Sequence, residues 1–157
     1  MSLNTILAQV RSYVSTAVGA TVPVHDGIRW AASESDFRAL FRDSVNGRLH
    51  GWQVSWGGAE EEVDGLLNLN LRTHTVIIQG IYAVDDPAVG TSMTSEVAFR
   101  GVVESVCTQL RGNFTIAGEA MNATPPEVAA FEPRIIRGVL CHFSEVRFEA
   151  IERLSYA

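Results

Sequence analysis

The stretch that decides the fold is Arg72-Thr-His-Thr-Val-Ile-Ile-Gln-Gly-Ile-Tyr-Ala-Val84, followed after a short polar turn by a helix pattern ending at Leu110. The first part is rich in β-branched and aromatic residues, which suit a pleated and largely buried strand. It closes at Asp85-Asp86-Pro87, a turn signal. In the second part Phe99, Val102, Val103, Val106, Cys107 and Leu110 recur at helical spacing and form one apolar stripe. Thr91, Ser92, Thr94 and Ser95 offer N-caps, Glu96 sits where the helix dipole favours an anion, and Gly112-Asn113 is a stop. A long strand docking on such a stripe makes a core. Val103 and Val106 are expected to face Val76 and Ile78.

Upstream, Leu3, Ile6, Leu7, Val10, Val14, Ala17 and Val18 share one face of a helix over 3–18, with Ser2 as cap and Gly19 as stop. Val22-Pro-Val24 is an extended edge or linker piece. A shorter helix spans Ser33–Arg42, with Phe37, Leu40 and Phe41 as its apolar face, and Asn46-Gly47 is a turn. His50, Trp52, Val54 and Trp56 alternate with Leu49, Gly51, Gln53 and Ser55, which predicts a strand with one aromatic face, ended by Gly57-Gly58. Glu60, Glu61, Glu62 and Asp64 then read as an acidic loop at the tip of a hairpin whose second strand continues through Leu71.

Downstream, Glu127–Phe131 lies between Pro125-Pro126 and Pro133 and is a short strand or a loop. Ile135 to Leu154 alternates as one long strand, bulged or twisted near Gly138. Its solvent face is expected to carry Glu145, Arg147, Glu149 and Arg153. The whole, 1–157, reads as a single α+β domain: a mostly antiparallel β-sheet packed by the 3–18 and 94–111 helices.

Composition narrows the function classes. A chain of 157 residues with 46% hydrophobic and 19% charged content can bury a core. Its net charge of −6 and lack of any basic run argue against a reader of nucleic acid. The first residues lack the charged start and apolar run of a signal peptide, and no stretch has the ~18 apolar residues of a membrane span.

Chemistry-bearing patterns are sparse. His25, His50, His74 and His142 are far apart and fall in no metal-ligand spacing, so no metal is expected. Cys107 sits on the helix stripe and Cys141 on a strand; both read as small buried hydrophobes. Cys141 and His142 are strand neighbours and point to opposite faces, which excludes a simple thiolate–imidazole pair. The glycines form neither a dinucleotide nor a P-loop fingerprint, so no catalytic residue and no cofactor are expected. Trp52 and Trp56, on one strand face, are core, a ligand platform or a subunit contact.

The order of elements resembles the tail-terminator (tail-completion) proteins of tailed bacteriophages. Arg72–Val84 (RTHTVIIQGIYAV), the Ser95–Leu110 helix and Val139–Glu152 (VLCHFSEVRFEAIE) carry the resemblance, and the first helix fits the family's own. Residues 112–134 have no counterpart in it. The resemblance implies a structural virion protein without enzyme activity. Its homohexameric ring would cap the head-proximal end of the tail tube and join tail to head. Its partners would be further copies of itself, the tail tube protein and a head–tail connector or neck protein. DNA would pass through the ring without sequence-specific binding, and no membrane would be involved. The protein would reside in the virion neck and, during assembly, in the host cytoplasm. On this reading Trp52, Gln53 and Trp56 belong to the subunit interface, and Glu60, Glu61, Glu62 and Asp64 face the lumen or the tail tube. The alternatives are a neck or connector protein, a small-molecule-binding or enzymatic α+β domain with a pocket near Trp52 and Trp56, and a non-viral assembly domain.

Overall fold

In the computed structural model, residues 2–64, 69–84, 94–118, 120 and 122–155 are described. The expected turn at Asp85-Asp86-Pro87 and the candidate caps Thr91 and Ser92 lie outside them. The elements run α1 (Leu3–Val18), β1 (Val24–Asp26), α2 (Glu34–Leu40), β2 (His50–Asp64), β3 (Leu69–Ala83), α3 (Thr94–Arg111), β4 (Asn122–Ala123), β5 (Glu127–Ile136) and β6 (Val139–Ser155). They form one α+β unit around a sheet of order β1-β2-β3-β6-β4, with β5 also paired to β6. Among the described residues, only the β1–β2 pairing is parallel.

The helices begin and end where local chemistry puts them. Ser2 and Thr5 close a capping box at the start of α1, and Gly19, with φ 105°, ends it. Ser33 Oγ accepts from Asp36 N–H at the start of α2. Asn113 Nδ2 donates to Gln109 O beyond the end of α3, satisfying one terminal carbonyl.

One face of the sheet packs beneath α1 and α3. Val54, Val76, Ile78, Val146, Phe148 and Ala150 meet Ile6, Val10, Val14, Phe99, Val103 and Val106 in a single core. Val103 and Val106 therefore share that core with Val76 and Ile78, as their spacing predicts. Trp52 lies at its centre, over Gly80; a Cβ at position 80 would stand 2.6 Å from the indole. On the opposite face a smaller core joins Phe37, Phe41, Leu49, Ile81, Cys141 and Phe143 under α2.

Three expectations need correction. Gly57-Gly58 does not end β2. It is a bulge between Trp56 and Ala59, after which the ladder resumes from Ala59 opposite His74 to Asp64 opposite Leu69. The acidic segment Glu60–Asp64 is thus strand, not loop. The pattern from Ile135 to Leu154 is not one strand: Arg137 (φ 50°) and Gly138 (φ 79°) form a two-residue turn, so Ile135 and Ile136 belong to β5. Consecutive positive φ angles match the twist of an antiparallel hairpin and reverse the chain. Finally, Glu145 is not a solvent-face residue like exposed Arg147, Glu149 and Arg153, but is buried among partners described below.

Candidate functional site

Two regions, at opposite ends of the sheet, depart from what a self-contained core requires. The first is the far end of the β2–β3 hairpin. Residues 59–63 are all exposed although they sit in a regular ladder, so neither sheet face is covered there. Glu61 accepts from Asn70 and pairs with Arg72 across the hairpin at 3.2 Å. Glu60 and Glu62 alternate to the other face, opposite Thr73 and Leu71. Along its outer edge β2 is paired by β1 only from Trp52 to Val54. Beyond that, no described strand covers the edge.

The second region is a cavity of about 250 Å³ on the α2 side of the sheet. Gln53 and Gln79 line its floor, Phe37 and Phe143 its walls, and Arg29 and Arg137 its mouth. A polar ladder crosses three strands at the floor. Arg29 N–H donates to Gln53 Oε1 (3.1 Å), Gln53 Nε2 to Gln79 Oε1 (2.8 Å), and Gln79 Nε2 to Glu145 Oε2 (2.8 Å). Arg147 pairs with the same carboxylate. Burial raises the Glu145 pKa, but the bonds from Gln79 and Arg147 outweigh it and leave the group below the ordinary carboxylate value. Trp30 stands exposed at the rim, with the Arg137 guanidinium 5.9 Å from its ring.

The residues singled out by sequence separate. Trp52 has no exposed surface and packs against Phe99, so it leaves the subunit interface and joins the core. Trp56 is 49% exposed. Gln53 is partly buried in the polar ladder on the opposite face from either tryptophan, because alternate strand residues point to opposite faces. The cavity is lined by neither tryptophan, which corrects the expected pocket beside Trp52 and Trp56. Among the acidic residues, Glu60, Glu61 and Glu62 are exposed on strand β2; the Asp64 side chain lies outside the described residues.

Three polar pairs escaped the sequence reading, because their members are 2, 47 and 78 residues apart and lie in no recognisable motif. The Trp52 indole N–H donates to His50 Nε2 at 3.0 Å. Burial depresses His50 from 6.5 to about 4, against the smaller opposing pull of Asp43, so the ring is neutral at pH 7. Ser95 Oγ and His142 Nε2 share a hydrogen bond of 2.9 Å, with both residues buried. No described carboxylate bonds the other side of His142, so a nucleophilic triad is not assembled among the described residues. His74 Nε2 and Glu152 Oε2 meet at 2.8 Å, both nearly inaccessible, and His74 Nδ1 has no partner among the described residues.

Cys107 and Cys141 are buried, and burial raises both thiols, Cys141 to about 11. Neither is a thiolate at neutral pH. Among the described residues no cluster of His, Cys, Asp or Glu has metal-ligating geometry, and no helix is long and apolar enough to cross a membrane. In comparison with known proteins, no family model matches the chain and no curated protein matches it in sequence.

Proposed function

We propose that the chain is a structural virion protein of a tailed bacteriophage. Its copies form a homohexameric ring that caps the head-proximal end of the tail tube and joins it to the head. The observation that carries this reading is the uncovered hairpin end. Five successive residues, 59–63, are exposed on a strand that remains fully laddered to β3. A strand bare on both faces contributes nothing to its own core, and its ordering costs about 1–2 kcal/mol of backbone entropy per residue. A neighbouring subunit that covers it offsets that cost.

Charge favours the same reading. Two copies of the open β2 edge meeting about a twofold axis would bring Glu60 and Glu62 against their own counterparts, which repels. The bare end therefore favours a different surface on the next subunit. Such heterologous contacts close into rings when the rotation permits. A net charge of −6 suits a ring through which DNA slides, since phosphates are not gripped by an acidic protein. On this reading the partners are the tail tube protein and a head–tail connector, the protein is not an enzyme, and no cofactor is required.

Immunogold labelling of the virions that encode the chain tests the proposal. Gold confined to the junction of head and tail is the expected result. Virions free of label, in a preparation where the infected cell contains the protein, would contradict it.

A further inference from the structure

We propose that the arginine-mouthed cavity beside α2 is the receptor for Glu60 and Glu62 of the neighbouring copy, so that each subunit's cationic end takes the next subunit's acidic end. This rests on the ring reading above and names its contact.

The cavity sets donors among apolar walls. Gln53 Oε1 accepts from Arg29 N–H and Gln79 Oε1 from Gln53 Nε2, while each amide nitrogen keeps a second N–H beyond the bond it makes in the ladder. Arg29 and Arg137 at the mouth have no ion-pair partner among the described residues. Arg38, Arg72, Arg100, Arg111, Arg134 and Arg147 hold carboxylates, whereas Arg11, Arg42 and Arg153, like the mouth pair, have no ion-pair partner among the described residues. What sets Arg29 and Arg137 apart is that both line one cavity with the Gln53 and Gln79 amides. Planar guanidinium forks and amide N–H groups with apolar walls select a carboxylate.

The donors of that carboxylate sit on the same face of the same sheet. Glu60 and Glu62 project from the face that carries Gln53 and Gln79, are exposed, and make no ion pair among the described residues. Glu61, engaged by Asn70 and Arg72, is excluded from the set. Glu60 stands roughly 20 Å along β2 from Gln53, at about 3.3 Å per residue, so one chain cannot satisfy its own cavity. A second copy can. The contact also has an apolar part: Trp30 at the cavity rim is 75% exposed. A buried aromatic framed by paired charges is the usual anchor of a specific interface.

Sedimentation velocity over a concentration series tests this with two charge-reversed proteins. One carries Arg29→Glu with Arg137→Glu, the other Glu60→Arg with Glu62→Arg. All four positions are exposed, and a thermal melt verifies that each protein folds. Wild type is expected to sediment as a ring, each reversed protein to assemble at least about tenfold more weakly, and their equimolar mixture to recover the ring. Recovery follows because the mixture contains one native contact and one charge-swapped contact. Rings that survive in both reversed proteins would overturn the inference while leaving the ring reading intact. The same result, with succinate binding to wild type that Arg29→Glu abolishes, would reassign the cavity to a small carboxylate. Loss of assembly that mixing does not restore would also overturn the inference. A wild type monomeric at every concentration would overturn the ring reading and the contact together.

Discussion

The indole N–H of Trp52 donates to Nε2 of His50 at 3.0 Å, two residues away on the same face of β2. An indole nitrogen only donates, so His50 Nε2 must accept, and the ring carries its proton on Nδ1. Protonating Nε2 would break this bond and place a charge in the core.

Stability should therefore fall on mild acidification. Above pH 6.5 His50 is neutral in both states and contributes no pH dependence. Between 6.5 and about 4 the unfolded chain takes up a proton that the folded chain refuses, so stability is lost as pH falls through this window. The full loss is about 3 kcal/mol at one pKa unit per 1.36 kcal/mol. Asp43 and Glu145, both lowered in the folded state, add their own loss only as pH falls below their ordinary values of 3.8 and 4.5. Urea unfolding at pH 7, 6 and 5 should show a decline that His50→Phe flattens, beside the fixed cost of losing the bond to Trp52.

The two tryptophans should behave oppositely. Trp52 is fully buried over Gly80 and against Phe99, and Trp52→Ala should cost about 3–5 kcal/mol of folding free energy. Trp56, 49% exposed, should cost the protomer about 1 kcal/mol or less when cut to alanine, yet weaken assembly. A melt beside a sedimentation profile for each variant checks both.

Val106 is inaccessible at the meeting of α3 with the sheet. Val106→Ala should cost about 1–2 kcal/mol, and Val106→Asp should unfold the protein by burying an unpaired charge. A Val106→Asp melt equal to wild type would remove the stripe from the core.

The thiols should be silent. Cys107 and Cys141 are buried and their pKa values raised, so a thiol reagent at pH 7 should label them only on unfolding. Replacing both with alanine should leave assembly unchanged. Fast native labelling would place at least one thiol at the surface.

Most of the architecture was legible because it is written in period. The stripe of α3, the face of α1 and the alternation in β2 and β3 each count out one buried surface. Two of the corrections turn on the local meaning of a glycine. Gly57-Gly58 bulges a strand that continues, and Gly138 turns a chain read as continuous. Composition then misled in turn, since three successive glutamates read as a loop when cross-strand Asn70 and Arg72 hold Glu61 in the ladder. The candidate site was illegible for a different reason. Arg29, Gln53, Gln79 and Arg137 come from four separate segments, and no local pattern joins them before the sheet is assembled.

The central claim is assembly into a closed ring, and native mass spectrometry of the purified wild-type protein tests it most directly. The account predicts a dominant sixfold species with no favoured dimer. A protein that stays monomeric, or that stops at a twofold dimer, would contradict it.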